Sequence, residues 1–193
     1  MEIEIKWTIP EEDLKAAFGK LVIEDKYYAV FKDRANYRLN DIVYSNEPDS
    51  YDYEDSIDNA SEYIVQYASQ IERGKSPLYA NQYAKHFFEN NDEDFCNFYA
   101  SKYEESINKG RSEIASIRIA GACEDYFDSW PDDNYLLGKE AIKGYMAGFE
   151  YAIDEGIDSP EDFAEIYMEE HISRLFPDEK DPPCRNKKNM MIS

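Results

Sequence analysis

Apolar and polar residues alternate through Ile3, Ile5, Trp7 and Ile9 against Glu2, Glu4, Lys6 and Thr8, a period of two that predicts a strand with one buried face. Thr8 and Glu11 then bracket Pro10 at capping-box spacing, and Leu14, Ala17 and Phe18 precede Gly19, so a short amphipathic helix is expected next. Residues 21–23, 27–31 and 37–44 are rich in β-branched and aromatic side chains and read as two or three further strands. The first 45 residues are thus expected to form a small α/β unit. Residues 46–58 contain six acids, no base and almost no aliphatic side chain, the composition of an acidic linker or exposed loop.

Beyond residue 58 the period lengthens to that of helices, and a loose repeat appears: Tyr63, Tyr67, Gly74, Ser76; Tyr99, Tyr103, Gly110, Ser112; Tyr145, Phe149, Gly156, Ser159. In each copy two rings four residues apart share one helix face, glycine accepts the left-handed conformation that closes a helix, and serine caps the next one. Pro77 and Pro160 stand at first helical positions, which tolerate a missing N–H, and Glu161 and Asp162 supply an acidic first turn. Three helical hairpins, about six helices, are expected between residues 57 and 176. The most apolar stretch, 114–127, is expected to lie centrally. The expected fold class is α+β: an α/β unit over 1–45, an acidic connection over 46–58, a helical-hairpin domain over 59–177 and a tail over 178–193.

Tyr67-Ala68, Gly74-Lys75-Ser76, Tyr79-Ala80 and Tyr83-Ala84 resemble the Tyr-Ala and Gly-Lys-Ser helical repeats of proteins from gut Firmicutes and their phages. The resemblance covers residues 63–115 best. The third copy departs from it, with Gly156-Ile157-Asp158-Ser159 in place of Gly-Lys-Ser, and the first 45 residues lie outside it. It implies architecture and a mobile-element origin, and brings no catalytic residues. In size and acidity the chain is also similar in general character to phage anti-CRISPR and other anti-defence inhibitors.

Charge sharpens this picture. The 193 residues carry 42 acids and 21 Lys plus Arg, a formal net charge of −21. Residues 46–177 hold thirty of the acids and ten of the bases, which repels nucleic acid and anionic membrane and attracts a basic partner. No run approaches the roughly 20 apolar residues of a membrane span, and the start Met1-Glu2-Ile3-Glu4 lacks the pattern of a signal peptide, so a cytoplasmic address is expected. Cys96, Cys123 and Cys184 are odd in number and widely spaced, which suits three reduced thiols better than disulfides or a zinc site.

Motifs for chemistry fail one by one. Gly74-Lys75-Ser76 lacks the glycine a phosphate loop needs five residues earlier, where Ser69 stands. His86 and His171 belong to no metal-binding signature, although Glu169 and Glu170 adjoin His171. Asp128, Asp132, Asp133 and Asn134 resemble a calcium loop, but Leu137 replaces the required glycine. No cofactor, metal or enzymatic activity is expected.

The acidic surface remains. Carboxylates three or four residues apart on a helix lie about 5–6 Å from each other, comparable with phosphates along a nucleic-acid strand. The candidate partner-binding rows are Asp158, Glu161, Asp162, Glu165 and Glu169; Glu124, Asp125, Asp128, Asp132 and Asp133; and Asp92, Glu93 and Asp94. The expected function is that of a non-enzymatic inhibitor occupying the basic nucleic-acid-binding surface of a defence nuclease, such as an RNA-guided CRISPR effector. The alternatives are a helical-repeat scaffold for protein–protein interaction and an immunity protein against a basic nuclease toxin.

Overall fold

The computed structural model describes residues 7–43, 47–90, 92–122 and 135–177. They contain eight α-helices and no strand: α1 (Glu11–Phe18), α2 (Tyr28–Ile42), α3 (Ser50–Glu72), α4 (Pro77–Asn90), α5 (Glu93–Asn108), α6 (Glu113–Gly121), α7 (Tyr135–Glu155) and α8 (Pro160–Leu175). The α+β expectation is therefore incorrect; the described fold is all-helical. The chain divides into two compact units, 1–104 and 105–193, with the division inside α5.

The expected strands failed for two different reasons. Residues 27–31 and 37–43 are strand-like in composition, yet Tyr27, Phe31, Ala35 and Leu39 recur every fourth position and are all buried. That spacing makes one helix face, and the tertiary burial it offers outweighs the modest β-propensity of the same residues. Of the alternating segment at the start, residues 1–6 lie outside the described residues, and Trp7 to Pro10 form no strand. This described part is held by side-chain amides of α2 instead: the Trp7 and Ile9 N–H groups donate to Asn40 Oδ1 and Asn36 Oδ1, each at 2.8 Å, and Asn40 Nδ2 donates back to the Trp7 carbonyl at 2.8 Å. Two buried asparagines thus satisfy backbone groups that a neighbouring strand would otherwise take. The short helix after them forms as expected, at α1.

The acidic segment is helical from Ser50 onward, where a linker or loop was expected. Asp49 accepts from the Tyr51 and Asp52 N–H groups while Asp52 Oδ2 accepts from the Asp49 N–H at 2.9 Å, a capping box built entirely from acids at a helix N-terminus that favours negative charge. The core of the first unit forms where α1, α2 and α3 meet, around Leu14, Phe18, Phe31, Leu39, Ala60 and Ile64. Arg34 to Asn59 (3.2 Å) and Arg38 to Asp55 (3.3 Å) fasten α2 to α3 at its margin.

The helical hairpins of the sequence reading are present. Gly74, Gly110 and Gly156 have φ of 81°, 82° and 68°, and each sits in the same two-bond closure: Gly74 N–H to Ile71 O with Lys75 N–H to Gln70 O, Gly110 to Ile107 with Arg111 to Ser106, and Gly156 to Ile153 with Ile157 to Ala152. This is the Schellman arrangement, which satisfies carbonyls that a helix end leaves open. Ser76 and Ser112 cap the following helices through Tyr79 N–H (3.1 Å) and Ala115 N–H (3.3 Å); Ser159 makes no side-chain cap bond.

The ring pairs stack as their spacing predicts, Tyr63 on Tyr67 with centroids 6.0 Å apart and Tyr145 on Phe149 at 6.1 Å. A finer repeat joins the first unit's helices. Tyr63 donates to Asn81 Oδ1 at 2.7 Å and Tyr79 donates to Asn97 Oδ1 at 2.6 Å, each across eighteen residues. The same rung therefore connects α3 to α4 and α4 to α5. The alanines that follow Tyr67, Tyr79, Tyr83 and Tyr99 are also buried, so aromatic and small residues sit side by side along these helices.

In the second unit α7 and α8 pack through glycine. A Cβ on Gly148 would lie 2.7 Å from the Tyr167 Cβ and 3.0 Å from the Ala164 Cα, and one on Gly144 would lie 3.0 Å from the His171 Cβ. The Gly-x-x-x-Gly spacing lets the two helices approach closely. Ile119 and Ala120 of α6 are buried, but Ile114 and Ile117 are exposed, so the described part of the stretch expected to lie centrally is buried on one side only, and its residues 123–127 lie outside the described residues. Ser116 and Arg118 interrupt this run without forming a polar stripe that would say which side faces inward. Here the inward side includes Ser116, whose hydroxyl is satisfied by Ser106 Oγ at 2.9 Å and the Ser112 carbonyl at 3.0 Å.

Candidate partner-binding surface

The three acidic rows fare differently. Asp92 is a helix cap: its Oδ1 accepts from Asp94 N–H at 2.9 Å and Phe95 N–H at 3.0 Å, opening α5. Glu93 lies 3.8 Å from Arg73. Asp94 is exposed in the first helical turn. This cluster is largely committed to starting a helix. Glu124, Asp125, Asp128, Asp132 and Asp133 lie outside the described residues.

The third row is assembled by the last hairpin. Gly156 closes α7, Asp158 lies in the turn, and buried Pro160 begins α8. Glu161, Asp162, Glu165 and Glu169 then step along α8, away from the face formed by Ala164, Met168 and Ile172. Glu161 bonds to Arg118 of α6 at 3.1 Å. Glu165 is half-buried, whereas Asp158, Asp162 and Glu169 are exposed, and none of these three has an ion pair among the described residues. Asp162 and Glu169 stand on α8 and Asp158 on the turn before it, so backbone already in place presents them to a cationic surface.

Next to this row is a feature the sequence reading missed. The Tyr151 ring of α7 stacks on Phe163 of α8 at 5.5 Å, and Phe163 lies 6.3 Å from Tyr167. Tyr151 and Tyr167 are 52% and 40% exposed and Ile166 is 60% exposed, values that set them apart from the buried Tyr63, Tyr99, Tyr103, Tyr145 and Phe149 of the hairpin repeats. The sequence signal available was Gly144-x-x-x-Gly148, which announces a close helix contact that carries flanking rings outward together.

The hairpin turns also organise charge. Arg111, immediately after Gly110 and only 12% exposed, donates to Asp154 through Nε at 2.7 Å and Nη2 at 2.5 Å and to Glu150 through Nη1 at 3.2 Å. These hydrogen bonds hold the Asp154 carboxyl below the usual aspartate range. Lys109 joins the network at Glu105 (2.7 Å) and Glu150 (3.2 Å). In the first copy the equivalent basic residue, Lys75, instead lies 4.5 Å from the Tyr79 ring centroid. The residue between glycine and serine therefore ties a turn to a neighbouring helix or ring.

His171 faces Glu140 of α7 at 3.3 Å rather than a ligand set with Glu169 and Glu170. Among the described residues no three His, Cys, Asp or Glu side chains converge as metal ligands, and no helix is long and apolar enough to cross a membrane. A shallow depression of about 540 Å³ in the first unit is lined by Leu21, Ser61, Glu62, Val65, Gln66, Ala84 and Phe87; one carboxylate there supplies no acid–base pair. Comparisons with protein-family models, curated proteins and solved structures found no match.

Proposed function

We propose that this protein is a non-enzymatic binding protein whose acidic helical surface occupies a basic, nucleic-acid-binding surface of another protein. The observation that carries the reading is the outward row on the last hairpin: Asp158, Asp162 and Glu169 are exposed and without an ion pair among the described residues, beside Glu161 and Glu165 on the same helix. A chain of net charge −21 attracts cationic surfaces over distances of about a Debye length and excludes polyanions from them. The resemblance to anti-defence inhibitors directs the search for the partner toward RNA-guided and other defence nucleases.

The test is competition. Nucleases captured from cells carrying defence systems are identified, purified and assayed for DNA binding with and without the protein. Wild type should weaken DNA binding in a salt-dependent manner, and Asp158→Lys, Asp162→Lys and Glu169→Lys together should reduce that effect by tenfold or more, on the order of 1.4 kcal/mol or greater. These positions avoid Arg118, so circular dichroism should show an unchanged fold. Simultaneous binding of DNA and protein to the partner without mutual loss of affinity would exclude the proposal. A scaffold reading draws support from exposed Ile114 and Ile117 on α6; it requires binding that changes little with salt.

A further inference from the structure

We infer that the exposed aromatic strip of the last hairpin, Tyr151–Phe163–Tyr167 with Ile166, is the anchor at which an arginine-bearing segment of a protein partner docks, its guanidinium groups lying on the tyrosine rings. The inference rests on the acidic-surface reading above and names the chemistry that reading leaves open.

Three observations converge on it. First, the strip is built before any partner arrives. Tyr151 stacks on Phe163 at 5.5 Å, Phe163 is followed by Tyr167 at 6.3 Å, and the close contact at Gly148, where even a Cβ would meet the Tyr167 Cβ at 2.7 Å, fixes the base of that ring. Second, the rings remain available: Tyr151, Ile166 and Tyr167 are each at least 40% exposed. Third, the surroundings select the sign of the occupant. On α8, Ile166 has Asp162 four residues before it and Glu169 and Glu170 three and four residues after it, so three carboxylates are its helical neighbours. The one cation in that last turn, Arg174, is engaged by Glu170 at 3.1 Å.

An apolar and aromatic centre among carboxylates fits a segment that is both cationic and planar. Arginine meets both conditions, because its weakly hydrated, flat guanidinium stacks on aromatic faces and pairs with carboxylates in the same pose, whereas a lysine ammonium is a compact, strongly hydrated point charge. The chain uses the same contact internally: the Arg34 guanidinium lies 4.9 Å from the Tyr63 ring centroid. Nucleic acid is disfavoured as the occupant by the same carboxylates that attract arginine.

The experiment uses the full chain, a short arginine-rich peptide and a lysine-rich peptide of equal length and charge, with binding followed by fluorescence anisotropy at low and high salt. Wild type should prefer the arginine peptide by about two- to fivefold, and the preference should persist at high salt while overall affinity falls. Tyr151→Leu with Tyr167→Leu, which keeps apolar bulk, should erase the preference; Tyr151→Phe with Tyr167→Phe, which keeps the rings, should retain it. Circular dichroism and thermal melts establish that both pairs fold. Equal, salt-dependent binding of the two peptides, unaffected by the leucine pair, would overturn the inference and leave the acidic-surface reading in place. Binding of neither peptide would overturn both. If the arginine peptide binds only after residues 178–193 are removed, or if the strip proves to mediate self-association lost in the leucine pair, the occupant is the chain's own C-terminal segment or a second copy, and the inference of a separate arginine-bearing partner fails.

Discussion

A methyl group added at Gly148 would stand 2.7 Å from the Tyr167 Cβ and 3.0 Å from the backbone Cα of Ala164, and neither atom can swing aside as a long side chain could. Two effects oppose each other in Gly148→Ala. Helix propensity favours alanine by about 1 kcal/mol, while overpacking of a tight contact costs about 1–3 kcal/mol. Because backbone must move, we expect the second to win, with a net loss of about 1 kcal/mol or more in urea unfolding. Gly74→Ala provides the contrast. Nothing lies within 4 Å of its Cβ position, but φ is +81°, so the loss should be about 1–2 kcal/mol of conformational origin alone. A more stable Gly148→Ala protein would show that α7 and α8 adjust to the methyl group. Tyrosine burial gives a second residue-level expectation. Burial pushes the Tyr63 and Tyr83 hydroxyls up to about 12, so the neutral forms support the fold. That contribution is intact below the unfolded value of about 10 and is lost as pH rises through the folded value. Ellipticity should therefore fall together with the last part of the rise in tyrosinate absorbance, after the exposed tyrosines have ionised at about pH 10. Full tyrosine ionisation in a protein that keeps its native ellipticity would contradict this account.

The helical hairpins could be read from the sequence because each reversal is specified locally. A glycine with positive φ, two rings at helical spacing and a serine cap need no distant partner to be recognised. The α2 helix could not, because its aromatic and β-branched composition favours a strand until the four-residue spacing of Tyr27, Phe31, Ala35 and Leu39 is weighed against it. The alternating segment at Trp7 and Ile9 misled in another way. Its pattern signals extended backbone but does not say whether a strand or two asparagine side chains will satisfy it. Of the candidate site, the α8 row was legible as a helical row of acids. The pairing of Glu161 with Arg118 across forty-three residues and the strip that includes Tyr151 and Tyr167 depend on tertiary placement. Arg111 shows what the basic residue of a turn contributes to an element. Its burial lies between that of an exposed pair, worth about 0.2–1 kcal/mol, and a buried one, whose rupture costs about 3–5 kcal/mol, and Asp154 is 48% exposed. We expect Arg111→Ala to cost about 2 kcal/mol near neutral pH. Since Arg111 lowers the Asp154 pKa, the Asp154 contribution is present above the unfolded value of about 3.9 and is lost as pH falls through the folded value. The gap between wild type and variant in urea unfolding should narrow in acid; a gap that is constant down to about pH 2 would show that the ion pair is not its source.

For the molecule as a whole, charge works against compactness. With a net charge of −21 and a pI near 4.4, folding concentrates like charges that the unfolded chain holds farther apart. Screening them should stabilise the native state more than it weakens scattered surface pairs, most of which contribute little. Raising sodium chloride from about 0.02 to 0.3 M shortens the Debye length from roughly 20 Å to under 10 Å, and thermal melts should shift upward by a few degrees. An unchanged or lower Tm would mean that the Arg111 and Arg118 networks outweigh the repulsion. The same repulsion should oppose self-association at neutral pH, and solubility should be poorest near pH 4.4.

The closures at Gly74, Gly110 and Gly156 also bear on how the chain finds its structure. Each joins two helices that are consecutive in sequence, so the contacts within a hairpin form between segments separated by short loops. Loop-closure entropy grows slowly with length but must be met before distant contacts can form, and chains dominated by local contacts reach the native state fastest. A hairpin in this protein can therefore nucleate from its own turn, with the left-handed glycine setting the reversal and the stacked rings sealing it. Because such a turn needs no later part of the chain, the first hairpins can form during synthesis, before α8 and its carboxylates have emerged.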